Sequence, residues 1–218
     1  LFVWSARRRW ALLRLGAPTW ESRVDRIPER LATLWTFGLY QKKMRYYFWA
    51  GIGHQLIFLG FVVLLLRTLV LWGRGFDPSF NLWILAPDGG LGGFYAFLKD
   101  VFATLVLIGT SIFVYYRVIR PQRRMALGLE GLLILGIIAT MMIADLIYDG
   151  AITVLNHRYA ELCAAGAASS SCDTAAAMIA PLGAAEGPLT WHLYPEPASG
   201  VFASLLAGAR LDTLIGLG

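Results

Sequence analysis

Charge is scarce in this chain. Only 15% of its 218 residues are Asp, Glu, Lys or Arg, against 57% hydrophobic, which excludes a soluble domain of this size, because such domains carry about 25% charged residues. Histidine is scarcer still, with three in all: His54, His157 and His192. The two cysteines, Cys163 and Cys172, have no pair of His or Asp near them at ligand spacing, and His157 and His192 are scattered, so nothing completes a tetrahedral metal site. The net charge of +5 does not point to nucleic acid, since topology and anionic lipid headgroups account for it.

Long apolar runs, by contrast, are plentiful. A bilayer core of about 30 Å takes roughly 20 mostly apolar helical residues, and three stretches qualify: about 46–72, 94–118 and 127–148. The fold class is therefore an all-α membrane protein, a transmembrane helical bundle with three complete spans. The chain opens on Leu1-Phe2-Val3-Trp4 without a methionine and ends inside a new apolar stretch, Leu211 to Gly218. This predicts truncated helices at both ends, residues 1–4 as a last turn and 212–218 as first turns. Fourteen of the nineteen basic residues fall in 1–47 and 117–124, so the positive-inside rule makes segment 5–45 cytoplasmic and the loops 73–93 and 149–200 external.

Four regions follow: a helix end with an interfacial segment at 1–45, the spanning core at 46–148, the external loop at 149–200, and, at 201–218, an interfacial helix (read over 198–209) with the start of a further span. Segment 5–45 is broken by Pro18 and Pro28 and carries Trp10, Trp20 and Trp35, with Trp4 just before it, the pattern of short helices lying on the inner membrane surface. It reads either as a topogenic loop or as a docking surface for a cytoplasmic redox domain. The external loop is Ala-, Gly- and Ser-rich through 164–185, which predicts a flexible insertion. Its cysteines, Cys163 and Cys172, lie in an oxidising compartment on this topology, so a disulfide between them is expected.

His54 is the one histidine inside a span. It stands among Gly51, Gly53 and Gly60, small residues that would let a large flat group approach, with Phe58 and Phe61 one and two turns along the helix. Such a face suits a porphyrin, and neutral imidazole is the common axial ligand of b-type haem. The alternative is a histidine bonded to a carbonyl or hydroxyl of a neighbouring helix. A bis-histidine haem needs two ligands at similar depth. His54 lies roughly 12 Å below the cytoplasmic edge at 1.5 Å per residue, whereas His157 and His192 lie beyond the outer end, so the second ligand would come from outside this chain.

Ionisable residues gather at the outer third of the spans: Arg67, Lys99, Asp100, Asp145 and Asp149. Either Arg67 pairs with Asp100 or Asp145 to neutralise buried charge, or the group serves a proton path through Asp100 and Asp145 and Arg67 holds a quinone headgroup or haem propionate. Glu130 favours the helix N-terminal dipole and is a weaker proton-transfer candidate on the inner side.

The strings Asp25-Arg26, Trp35-Thr36-Phe37-Gly38, Gln41, Arg45, His54-Gln-Leu-Ile-Phe-Leu-Gly-Phe, Arg120-Pro121, Gly128-Leu-Glu-Gly-Leu-Leu-Ile-Leu-Gly and Asp145-Leu resemble the membrane region of fused iron–sulfur oxidoreductases. The N-terminal half of that family is similar to the gamma subunit of respiratory nitrate reductase and to the cytochrome subunit of heterodisulfide reductase. The resemblance implies haem b with His54 as axial ligand and the remaining histidines on the helix after 211. It also implies a soluble half with ferredoxin motifs and cysteine-rich domains, and electron exchange between electron-transfer flavoprotein and menaquinone or ubiquinone in a bacterial inner membrane. One departure stands out: where the two-haem pattern has a second histidine, this chain has Leu64 and Leu65. No Cys-x-x-Cys occurs either, so iron–sulfur clusters would lie in a further part of the protein or in a partner.

Two functions therefore compete. One is a haem b module linking a cytoplasmic iron–sulfur domain, fused or separate, to quinone, inactive as an isolated chain. The other is a haem-free membrane anchor or small transporter in which His54 is structural.

Overall fold

The computed structural model describes residues 2–15, 25–76, 80, 82, 85, 90–120, 128–165, 168–182, 189–193 and 195–218. Leu1, Pro18, Trp20, Arg23, Pro121, Arg123 and Arg124, used in the sequence reading, lie outside the described residues. Among the described residues there are eight α-helices and no strand, in two compact units, Leu1–Lys43 and Met44–Gly218.

In the first unit, α1 (Phe2–Arg14) runs well past the single turn expected at residues 1–4, because no Gly or Pro interrupts it. Arg8 lies over the Trp4 ring and Arg14 over Trp10, each 5.5 Å from the centroid, as i,i+4 spacing allows. Helix α2 (Ile27–Leu34) has Pro28 in its first turn, where the missing N–H costs nothing. Arg30 ties its start down, donating to the Asp25 carbonyl at 2.8 Å and to Asp25 Oδ1 at 3.0 Å. Ile27, Leu31, Leu34 and Trp35 are all exposed at the i, i+4, i+7, i+8 spacing of one apolar stripe, the pattern of a helix lying in a membrane interface.

The second unit contains the three helices long and apolar enough to cross a bilayer: α3 (Phe48–Arg74), α4 (Gly90–Val114, continued by a π turn to Ile119) and α5 (Leu129–Ala164). Helices α3 and α4 run antiparallel at close range. A Cβ on Gly109 would stand 2.9 Å from the Gly53 carbonyl, and one on Gly60 would stand 2.1 Å from Val106. Gly53 and Gly60, read from the sequence as room for a flat ligand, instead admit α4, as small residues do where helices meet in lipid. Gly131 on α5 makes room for the Arg117 guanidinium of α4.

Helix α5 departs most from expectation. It was placed at 127–148, yet it continues for 36 residues, about 54 Å at 1.5 Å per residue. Asp149, Asn156, His157, Arg158 and Glu161 end the hydropathic run without ending the helix, and Asp149 and Arg158 among them find tertiary partners. Arg158, for example, donates to the Ala207 carbonyl and, at 3.0 Å, to Glu161. The extension carries α6 (Ser169–Ile179), α7 (Pro197–Leu206) and α8 (Leu211–Leu217) around a core of Ile152, Val154, Leu155, Ala175, Ala203, Leu211 and Leu214. A Cβ on Gly150 would lie 2.9 Å from the Ala203 nitrogen, so α7 crosses α5 at a point only glycine permits.

The stretch read as a flexible Ala-rich insertion thus holds a packed helix, with Ala175 fully buried. Cys163, at the end of α5, and Cys172, on α6, are joined in a disulfide with their Cα atoms 5.9 Å apart. Closing so short a loop stabilises by about 2–3 kcal/mol in the chain-entropy account. Cys163→Ser with Cys172→Ser is expected to lower the thermal midpoint in detergent by a few degrees. Reductant should shift the parent protein equally and the double variant not at all.

Candidate functional site

Where α3, α4, α5 and the start of α7 meet, one charged network gathers Arg67, Lys99, Asp145, Asp149 and Glu196. On α5, Asp145, Tyr148, Asp149 and Ile152 recur at helical spacing on one face. Arg67 reaches two of them, donating to Asp149 Oδ1 at 2.7 Å and to Asp145 Oδ1 at 3.4 Å, with the Tyr148 ring 5.4 Å from its guanidinium carbon. Lys99 of α4 donates to Asp149 Oδ2 at 2.5 Å and to Glu196 Oε1 at 2.9 Å. Both cations are thus shared between carboxylates, as buried charge requires.

The neighbouring residue on α4, Asp100, does something else. It is fully buried and accepts from Ala198 N at 2.5 Å, Ser199 N at 2.9 Å and Ser199 Oγ at 2.5 Å. It therefore caps the first turn of α7, whose N–H groups and dipole favour an anion. The pairing of Arg67 with Asp145 is present, whereas Asp100 turns to α7. Asp145 Oδ2 is buried without a hydrogen-bond partner among the described residues. It lines a groove of about 390 Å³ with Leu64, Thr68, Met141 and Met142.

His54 sits elsewhere, 13 residues before Arg67, hence about 20 Å along α3. It is half-buried and about 100° round the helix from Gly53, so it borders the seam with α4 instead of entering it. Gly51 is buried, Phe58 half-buried and Phe61 64% exposed. Phe58, Phe61 and Leu65 share the His54 side, and Leu65 is exposed too. One imidazole beside an open aromatic and aliphatic strip fits a single axial haem ligand with room for a ring against the helix. His157 and His192 line a cavity at the far, α7 end and supply no second ligand at this depth.

The chain is similar to an iron–sulfur oxidoreductase. Over 150 residues, 69% of its length, it is 28% identical to the probable iron–sulfur-binding oxidoreductase FadF of Bacillus subtilis (strain 168), and it spans 20% of that relative. No family model matches the chain, and no solved structure matches it.

Iron–sulfur ligation within this chain has no ligand set. Such clusters are held by cysteine thiolates, both cysteines are in the disulfide, and among the described residues no group of three or more His, Cys, Asp or Glu is placed to hold a metal.

Sequence reasoning overlooked Glu196 and Ser199. The signal was Glu196-Pro197-Ala198-Ser199, since proline favours the first turn of a helix; only the fold shows that this turn lands on Lys99 and Asp100. Burial pushes the Glu196 carboxyl above the ordinary glutamate range, and the Lys99 ammonium, pulling it down, offsets that in part.

Proposed function

We propose that the chain is the membrane electron-transfer module of an iron–sulfur oxidoreductase, with haem b held by His54 and electrons exchanged with the quinone pool. The similarity to an iron–sulfur-binding oxidoreductase carries the reading. The half-buried histidine near the start of a spanning helix, flanked by Phe58 and Phe61, supports it. When bound, haem supplies one-electron chemistry, and the protein supplies position and polarity. In this reading His54 offers a neutral ring nitrogen to the iron, the aromatic strip shields the porphyrin edge from lipid, and the second axial ligand comes from outside residues 1–218.

The clusters belong to a cytoplasmic iron–sulfur domain, fused or separate, with electron-transfer flavoprotein as a candidate donor and menaquinone or ubiquinone as acceptor. The protein lies in a bacterial inner membrane, with the His54 end of the spans on the cytoplasmic side and the α7 end outside, as the basic residues dictate. Arg67, at the opposite end of α3 from His54, belongs on this reading to the outer charged network and not to a haem propionate.

A reduced-minus-oxidised visible spectrum of the protein, purified in mild detergent after expression with haem supplied, tests the assignment. A b-type signal is expected, and His54→Ala should lose all of it from that site. A His54→Ala protein with its full haem content rules out the ligand. A flat parent spectrum leaves the membrane anchor or transporter.

A further inference from the structure

Two cavities meet at one carboxyl. The first, about 140 Å³, lies among α3, α4 and α5 and is lined by Arg67, Lys99, Asp149, Thr153 and Glu196. The second, about 240 Å³, is lined by His157, Thr190, His192, Thr153 and Glu196. Thr153 and Glu196 belong to both. Each cavity has room for several water molecules, and although apolar atoms make up most of each wall, the charged and hydroxyl side chains named supply the two to four polar partners that a water needs. Inward, Arg67 and Tyr148 are common to the first cavity and to the groove that holds the unpartnered Asp145 Oδ2. The exposed His192, with Nε2 2.8 Å from Thr190 Oγ1, stands at the outer end.

We propose that Glu196 gates a water-lined proton path running from the Arg67–Asp149–Lys99 cluster inside the bundle to the His157 and His192 surface at the α7 end. A purely structural ion network would need neither a second cavity nor a titratable group shared between the two. Arg67 stays protonated and passes nothing; transfer past it uses the carboxylates on either side, Asp145 and Asp149. At Glu196 the carboxylate takes a proton from a hydronium ion in one cavity, forming an O–H bond as that donor's O–H breaks and leaves water, and returns it to a water in the other, which becomes hydronium. Nothing is oxidised or reduced.

The titratable and charged groups facing Glu196 are Lys99, Asp100 and Tyr95 on α4, Arg67 and Arg74 on α3, Asp149 and Tyr148 on α5 and, across the second cavity, His157 and His192. Burial raises the Glu196 carboxyl's affinity for a proton, which suits a group that must accept one and give it up. The purpose of the path rests on the electron-transfer reading: a module that exchanges electrons with a two-proton carrier inside the membrane must exchange protons with one side.

Two measurements on the protein in lipid vesicles test the path without depending on haem. In the first, Ala96→Cys and Thr153→Cys, lining the cavities, are compared with Ala103→Cys, which is fully buried, using 2-aminoethyl methanethiosulfonate. Because the thiolate, formed in water, is what reacts, the two cavity positions should label at least about tenfold faster. Labelling as slow as at Ala103→Cys overturns the path. In the second, infrared spectra in acid buffer should show a carboxyl C=O band that shifts within the mixing time on transfer to heavy water and is missing in Glu196→Gln. A band that shifts only over hours, or one unaffected by Glu196→Gln, overturns the gate. The visible spectrum of the same preparations reports on His54 separately, so the two readings fail independently.

Discussion

Asp100→Ala is expected to destabilise the protein by about 3–5 kcal/mol. The substitution leaves two backbone N–H groups and one hydroxyl of α7 without their acceptor in a place that water does not reach. Each buried donor stranded this way costs about 1–3 kcal/mol, and hydrogen bonds to a charged acceptor stand at the upper end of their range. The loss is smaller than a simple sum, because α7 can lift away and let water in. Asp100→Asn keeps one acceptor oxygen and should lose about half as much. Equilibrium unfolding in mixed detergent would read both, and limited proteolysis between 206 and 211 would report the release of α7. If Ala and Asn variants both unfold with the parent, the cap contributes nothing and the docking of α7 rests on its other contacts, among them Gly150 against Ala203, Lys99 with Glu196 and Arg158 with the Ala207 carbonyl.

Lys99→Met should cost a similar amount, about 3–5 kcal/mol, the usual result of removing one partner of a buried ion pair. The reason differs. Asp149 keeps Arg67, whereas Glu196 loses the ammonium on which it rests. A carboxylate abandoned in a buried site takes up a proton before it tolerates the charge, so the defect should depend on pH. Burial holds the folded-state carboxyl of Glu196 above its unfolded value, so the folded protein binds the proton more tightly. The resulting contribution to stability is complete below the ordinary glutamate value, where both states are protonated, and is lost as pH rises through the raised folded-state value. Without Lys99 the upward push of burial acts unopposed, and Lys99→Met should be least harmful in acid and most harmful in alkali. Lys99→Met with Glu196→Gln should regain much of the stability and flatten the pH profile. A double variant no better than Lys99→Met would show that the ammonium matters for Asp149 instead, the kind of coupling that a double-mutant cycle separates.

The spanning helices were legible because lipid imposes a rule that one sequence displays: an apolar run of sufficient length. Residues 46–72 became Phe48–Arg74, and 94–118 became Gly90–Ile119. The end of α5 was not legible, since Asp149 and Arg158 look like the start of a loop until the donors on α3 and α4 and the carbonyls just after α7 that meet them are known. The alanines of α6 carry no periodic contrast, so composition suggested mobility where Ala175 is in fact buried against α5 and α8. In the charged network, helix rise brought Arg67, Lys99 and Asp145 to one depth. Rise alone could not decide rotation, which separates Asp100 from the others and hands it to α7. Glu196 was invisible for the opposite reason: it lies in a Pro-rich connection, far in sequence from Lys99. Around His54 the glycines were noticed for their size, and two of them, Gly53 and Gly60, give that room to α4.

Adjacent residues of α4, Lys99 and Asp100, are completed by Glu196, Ala198 and Ser199, which follow them by 97 to 99 positions. A ribosome adding roughly 5–20 residues per second needs about 5–20 s to deliver that stretch. Through that interval the second spanning helix holds an ammonium and a carboxylate whose final partners do not yet exist. Until Asp149 and then the first turn of α7 emerge, the pair must shelter in the insertion machinery, in its own mutual attraction or at the headgroup layer. Biogenesis thus sets two deadlines: a chain stalled or cleaved before Asp149 would leave both charges without their partners, and one stopped before Ala198 would leave Asp100 uncapped, states that membrane quality control could detect.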